Sequence, residues 1–210
     1  IVSATRASET TPTTFTTVDK SEIAKRNLGQ DIPILLNFSP SVVSHSDAGA
    51  GVGYTGIRIR GTDQTRINAT INGIPLNDAE SHGVFWVNMP DFASSVDNLQ
   101  LQRGVGPSTN GAGAFGATLS LNTMSTNVKP RIILDGTIGS FGTQKLSVGL
   151  NSGLIAEKYS VDMRYSNIKS DGYVDRATAD LNSYYLSASR ITDKSSLRFI
   201  TFSGNERTYQ

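Results

Sequence analysis

Several residue patterns in this 210-residue chain could carry chemistry, and each needs neighbours that the sequence either supplies or lacks. Gly51-Val52-Gly53-Tyr54-Thr55-Gly56 and Gly111-Ala112-Gly113-Ala114-Phe115-Gly116 both match the dinucleotide fingerprint G-x-G-x-x-G. That loop works only when its last glycine opens a helix whose free amides hold a pyrophosphate. Both runs lead into residues of strand type, so the glycines read as loop formers. Nucleophilic catalysis fares no better: there is no G-x-S-x-G, and His45 and His82 sit in unrelated loops. Zero cysteines remove disulfides, thiolate metal sites and thiol nucleophiles together. Asp171, Asp175 and Asp180 hint at a cation loop but lack the Asp, Asn and Glu ladder of an EF-hand, so a solvated loop is the better reading. These residues predict a protein that is not an enzyme and that has no cofactor and no metal site.

Charge and hydropathy narrow the class. With 19 Lys+Arg against 18 Asp+Glu the formal net charge is +1, which leaves no field to attract nucleic acid. Hydrophobic residues make up 37% of the chain and mean hydropathy is −0.22. No run approaches the roughly 18 apolar residues of a transmembrane helix. The 20 glycines are clustered rather than periodic, which excludes collagen and repeat arrays. The start at Ile1-Val2-Ser3 reads as that of a processed or trimmed chain.

The elements that must position any site change character along the chain. Residues 1–17 are rich in Ser and Thr without an apolar period and predict an extended, mobile segment. Asp19 with Glu22 makes a weak capping box for a short helix near 20–28, with Ile23 and Leu28 facing a core and Gly29 ending it. Asp31-Ile32-Pro33 starts a second short helix that runs to about Phe38 and stops at Ser39-Pro40. Short strands follow at Val42-Val43, Gly56 to Arg60, Arg66 to Ile71, Asn98 to Arg103 and Ala117 to Asn122, with Asn72-Gly73 the sharpest turn signal. This order of elements predicts a mixed α+β domain.

Beyond Lys129 the pattern becomes a dyad. Leu146, Val148 and Leu150 alternate with Lys145, Ser147, Gly149 and Asn151; Tyr159, Val161, Met163 and Tyr165 alternate with Ser160, Asp162, Arg164 and Ser166. Further strands are expected at 131–140, 182–192 and 196–206, where Leu197-Phe199 and Ile200-Phe202 compete for the apolar face. Connections are short at 140–142, 154–157 and 192–195 and long at 169–180. Such strands suit a transmembrane β-barrel, and the pattern alone equally suits a soluble antiparallel sandwich.

Residues 31–124 decide between them by resemblance. Asp31-Ile32-Pro33-Ile34-Leu35-Leu36 with Pro40-Ser41-Val42, then Gly56-Ile57-Arg58-Ile59-Arg60-Gly61, resemble the opening and the "IRG" strand of the plug domain of TonB-dependent outer-membrane receptors. Thr70-Ile71-Asn72-Gly73-Ile74-Pro75-Leu76 resembles that family's "xxDGxPL" step. Gln100-Leu101-Gln102-Arg103-Gly104 followed by Gly106-Pro107-Ser108 resembles "ExxRGPxS", with Gln100 in place of the acidic residue, and Gly111 to Asn122 resembles "YGxGAxGGxINI". The resemblance implies an α+β plug domain with a mixed sheet and short helices, followed by antiparallel strands of a transmembrane β-barrel, truncated. It divides the chain into a flexible N-terminal segment (1–17), a plug (18–128) and the first barrel strands (129–210). Tyr159, Tyr165, Tyr184 and Tyr185 near strand ends would suit an interfacial aromatic girdle.

Residue roles follow from the resemblance alone. Arg60 and Arg103 match two family arginines that hold the plug to carboxylates on the barrel wall, whose positions would lie beyond residue 210. Ile1, Val2, Ser3 and Ala4 resemble the tail of a TonB box, the segment that pairs with TonB as an added strand. Three loops, at about 44–55, 62–66 and 77–86, would face the outer vestibule, so His45, Gln64, Arg66, Asn77, His82, Phe85 and Trp86 are candidate ligand contacts; for Phe85 and Trp86 a place in the plug core is the competing reading. The implied protein lies in the outer membrane of a Gram-negative bacterium, N-terminus in the periplasm, in contact with membrane lipid and with TonB. It would import a scarce solute, a ferric siderophore or similar chelate, after TonB-driven plug remodelling. A glycan or other nutrient receptor is the rival within the family, and a soluble β-rich binding or adhesion module the rival outside it.

Overall fold

Asn72 and Gly73 both take positive φ, 54° and 86°, the conformation a two-residue type I′ turn requires, and they join β4 (Ile67–Ile71) to β5 (Ile74–Pro75) with Ile71 opposite Ile74. In the computed structural model, which describes residues 6–106 and 115–208, this hairpin closes one end of a five-stranded sheet. Its order is β1 (Thr14–Asp19), β6 (Asn98–Arg103), β7 (Ala117–Asn122), β4, β5. The β4–β7 pair is parallel and the others antiparallel, so the sheet is mixed. Leu99 and Leu101 on β6 and Leu119 and Leu121 on β7 put one face into the core, joined by Ile23 of α1 (Lys20–Arg26) and Ile32 of α2 (Ile32–Leu35). A separate hairpin, β2 (Val42–Ser46) with β3 (Thr55–Ile59), completes this half.

Four local expectations change. Residues 14–17 are not a loose tail but the first part of β1, held to β6 with Thr14 opposite Arg103 and Asp19 opposite Asn98. That pairing also disarms the capping box: Asp19 occupies the N-cap in extended conformation, yet its carboxylate makes no cap hydrogen bond. Leu28 is exposed because α1 ends at Arg26 and Leu28 lies past its last turn. The second helix is a single turn ending at Leu35, with its proline inside the first turn as read from sequence.

The second half is a five-stranded antiparallel sheet in sequential order: β8 (Arg131–Ile138), β9 (Gln144–Asn151), β10 (Tyr159–Ser170), β11 (Ala179–Thr192) and β12 (Ser195–Thr208). Register aligns apolar side chains across its outer face: Ile132, Leu150, Met163 and Leu186 form one row, and Leu134, Val148, Tyr165 and Tyr184 the next. Many of these are more than 40% exposed, Leu134 at 74% and Met163 at 49%. The inner face carries Lys145, Ser147, Arg164, Ser166, Ser183 and Ser187, all buried. The competition in β12 resolves by giving each apolar pair its own face: Leu197 and Phe199 point outward, while Ile200 and Phe202 pack inward on the core of the first sheet.

The tyrosines divide in the same way. Tyr165 and Tyr184 are cross-strand partners at mid-strand rather than near strand ends, and Tyr165 Oη donates to Asn182 where the outer face turns from apolar to Asn167 and Asn182. Tyr159 lies six residues back along β10, about 20 Å at a strand's rise. Tyr185 does not belong to this set: the alternation turns it inward, 5% exposed. Among the described residues no helix is long and apolar enough to cross a membrane.

Candidate functional site

The inner face of the second sheet grips the first half through a buried polar centre. Asp91 sits between Pro90 and the 3-10 turn Phe92–Ser95 in left-handed conformation, φ 52° and ψ 25°, which a non-glycine residue adopts only at a cost. Its carboxylate collects that cost back in bonds. Lys145 Nζ lies 2.9 Å from Oδ1 and Arg164 Nη1 3.2 Å from Oδ2, and the hydroxyls of Ser94 and Ser166 donate to the same two oxygens. Asn27 Nδ2 adds a longer bond from the end of α1. Lys145 also reaches Asp135 Oδ2 at 3.1 Å, and Arg164 Nε donates to Ser95 Oγ at 2.7 Å. Burial alone would raise the Asp91 pKa, but Arg164, Lys145 and the two hydroxyls together hold it below the usual carboxylate range.

Apolar contacts flank this centre. Phe92 meets Tyr185 edge-on at 6.2 Å and Phe202 at 5.1 Å, and Tyr185 Oη is 3.0 Å from Thr123 Oγ1. Gly204 lets Pro90 approach the wall, since a Cβ there would lie 3.0 Å from Pro90 Cδ. At the far end Val52 packs with Ile168, Ala179 and Leu181, while the Tyr173 amide donates to Ala48 O at 2.9 Å and its side chain covers Gly49. The loop from β10 to β11 therefore touches the tip of the β2–β3 hairpin.

Of the residues singled out by sequence, Arg103 is buried and spent locally: Nε donates to Pro40 O at 2.9 Å and Nη2 to Thr16 Oγ1 at 2.8 Å. Burial and the neighbouring Arg60 charge lower its pKa. Arg60 is exposed, with φ 52° and Nη1 directed at Gly104. Among the described residues neither arginine pairs with a carboxylate. Ile1, Val2, Ser3 and Ala4 lie outside the described residues.

Two of the three loops meet. Gln64 lies against Gly83, and Asn77 Nδ2 donates to Ile67 O and His82 O while its Oδ1 accepts from Ala69 N, so its carboxamide holds the 77–83 loop on β4. His82 and Phe85 remain exposed beside it, and the Arg66 guanidinium covers the Phe115 ring at 5.5 Å. Trp86 requires correction as a surface contact: at 3% exposure it belongs to the core with Val84, Phe92 and Ile59. His45 stands apart, its ring folded over Gly56 on the hairpin. Sequence reasoning missed Asp91, Lys145 and Arg164. The available signal was a cation on the inward parity of each of two dyad strands, Lys145 on β9 and Arg164 on β10, which demand an acidic partner.

The family model of the TonB-dependent receptor plug domain matches residues 7–118. The chain belongs to the TonB-dependent receptor family, with a plug followed by the first strands of the barrel wall. Solved structures of similar fold include the pyoverdine outer membrane receptor FpvA from Pseudomonas aeruginosa, at TM-score 0.76 and 15% identity over 93% of this chain and 28% of that one. The ferric-catecholate import receptor Fiu from E. coli matches at TM-score 0.75 and 17% identity over 94% of this chain and 28% of its own. The copper transporter OprC matches at TM-score 0.74 and 14% identity over 97% and 33%. The chain thus spans between a quarter and a third of these proteins. A search among curated proteins finds no match.

Proposed function

We propose that this chain forms the plug and first wall strands of an outer-membrane receptor that binds a ferric siderophore or similar chelate and releases it to the periplasm when TonB remodels the plug. The observation that carries the reading is the two-faced wall: apolar rows such as Ile132, Leu150, Met163 and Leu186 point away from the plug, while Lys145 and Arg164 on the opposite face hold it. Lipid accepts a strand on such terms, with the backbone paired and the outer face apolar. The plug lies inside, its N-terminal residues Ile1 to Ala4 supplying the strand that TonB pairs with. Gln64, Arg66, His82 and Phe85 form one ligand-facing group, with Asn77 positioning the loop that bears His82, and His45 is a separate candidate contact on the β2–β3 hairpin. Arg60 takes a wall carboxylate as a second latch, and Arg103, whose Nε and Nη2 are engaged by Pro40 and Thr16, joins it through the rest of its guanidinium. A ferric chelate is suggested by the pyoverdine bound to FpvA and the ferric catecholate that Fiu imports, and OprC, a copper transporter, widens the class to other metals.

The test is uptake of radiolabelled iron from a panel of ferric chelates by the full-length receptor in cells lacking their own ferric-chelate receptors, with TonB present or deleted. The reading expects uptake of at least one chelate that vanishes without TonB. A full-length protein recovered in water without detergent, or iron uptake indifferent to TonB, would overturn it.

A further inference from the structure

The polar face of the plug sheet is buried, and one of its side chains is saturated by a segment of chain far away in sequence. Gln100 on β6 is 5% exposed. Its Oε1 accepts from the Ala7 amide at 2.8 Å and from Gln102 Nε2 at 3.1 Å, and its Nε2 donates to Ala7 O at 2.9 Å and to Thr17 Oγ1 at 3.3 Å. The carboxamide thereby uses both donors and both acceptor sites, two of the four on the backbone of a single residue. It reproduces with a side chain the reciprocal N–H and C=O exchange of an antiparallel residue pair. Ala7 is buried beneath it, and Arg6 Nη1 donates to Asn98 Oδ1 two residues along the same strand. A turn closed by Thr11 N to Ser8 O then brings the chain back as β1 on the edge of the same sheet.

We infer that Gln100 is a clip that parks the N-terminal segment across the plug sheet, and that its release sets how readily the residues before Arg6 become available to a partner that adds to them as a strand. This rests on the proposed coupling role of that segment. The chemistry requires an amide: a carboxylate at position 100 would keep the bond from the Ala7 amide but lose both donations and face Ala7 O with negative charge. Tension on residues before Arg6 loads the Arg6–Asn98 bond and the Ala7 bonds before it reaches the β1–β6 ladder, because Arg6 and Ala7 both precede β1 along the chain. The clip therefore opens, with the Arg6–Asn98 contact, before β1 peels from β6.

A nitroxide attached at Glu9→Cys, an exposed site just past the clip, reads the parked and released populations in the full-length receptor in detergent or lipid. Ala7→Pro removes one clip donor without touching the plug sheet, and Gln100→Glu removes two donors from the other side. Losing these bonds should raise the ratio of mobile to immobile label about 5- to 10-fold in each variant. An unchanged ratio in Ala7→Pro, which leaves every plug side chain in place, would overturn the clip. The line shape is recorded without TonB, so it answers to the clip alone; dependence of iron uptake on TonB answers to the receptor reading.

Discussion

Asp91 of the plug and Arg164 of the wall form an ion pair at 3.2 Å in which both side chains are buried, 0% and 7% exposed. The anion is on the plug and the cations, Arg164 and Lys145, are on the wall. This is the reverse of the polarity expected for Arg60 and Arg103, so the plug and wall meet through a contact that the resemblance did not supply. A buried pair of this kind contributes little net stability when intact, but removing one partner strands the other in a dry site.

Asp91→Ala should therefore loosen the plug by about 3–5 kcal/mol, because Arg164 keeps only Ser95 and Ser183 and Lys145 only Ser94 and Asp135. Hydrogen exchange of plug amides in the full-length receptor reads the loss as faster opening. Replacing Asp91, Lys145 and Arg164 together by Leu, Met and Met should cost far less, since the one charge that loses its partner, Asp135, is part-exposed to solvent. A single substitution no worse than the triple would contradict the ion-pair account.

Asp31 behaves in the opposite sense. It is almost fully buried with one side-chain donor, Thr55 Oγ1 at 2.9 Å, and burial raises its pKa well above 3.8, helped by the carboxylates of Glu206 and Asp91 despite the Thr55 bond. Between the unfolded value and the raised one the folded state binds more protons, so stability falls as pH rises through that window. Asp31→Asn keeps an acceptor for Thr55 and removes the charge; it should raise the melting temperature at neutral pH and flatten the pH dependence on the acid side. Melting curves of the purified receptor across that range check this, and a variant with the wild-type slope would refute it. Asp91, held below the usual range, keeps its contribution down through mild acid and loses it only as pH falls through its depressed pKa.

Much of this fold was legible because its signals are local. Asn98–Arg103, Ala117–Asn122 and Gln144–Asn151 are strands with the expected bounds, and Asn72-Gly73 turns where its backbone preference demands. What sequence could not show is contact across long separations. Asp91 and Arg164 are 73 residues apart, and Ala7 and Gln100 are 93 apart. Thr14 to Thr17 look like loose chain until β6 offers an edge, and Tyr185 looks like its neighbour Tyr184 until register fixes opposite faces. Gln100 was visible as a departure from the family pattern, but its use depends on a backbone it meets only in the folded plug.

His82 and Trp86 should separate cleanly on substitution. Trp86→Ala empties a core position and should cost about 3–5 kcal/mol, losing folded receptor from the membrane. His82 is exposed but holds φ 57°, so its replacement by Ala should cost about 1 kcal/mol, well below the loss at Trp86. If it faces the ligand, the same change should weaken chelate binding by about tenfold, read by fluorescence quenching or calorimetry on the full-length receptor. Equal affinity in His82→Ala and Phe85→Ala would remove the 77–86 loop from the binding face.

Phe92 tests whether the plug is held to the wall by packing as well as charge. Its ring lies between Tyr185 and Phe202, so Phe92→Ala removes two edge-on ring contacts and opens a cavity where the plug core continues into the wall. The expected cost is about 3–5 kcal/mol of plug opening. Tyr185→Phe keeps the ring and deletes the hydroxyl with its bond to Thr123, for about 1 kcal/mol. Because Phe92 follows Asp91 directly in the chain, the two contacts share one backbone turn, and their losses should not add: Asp91→Ala with Phe92→Ala should cost less than the sum. Hydrogen exchange on the four receptors closes this cycle, and strict additivity would mean that charge and packing hold the plug independently.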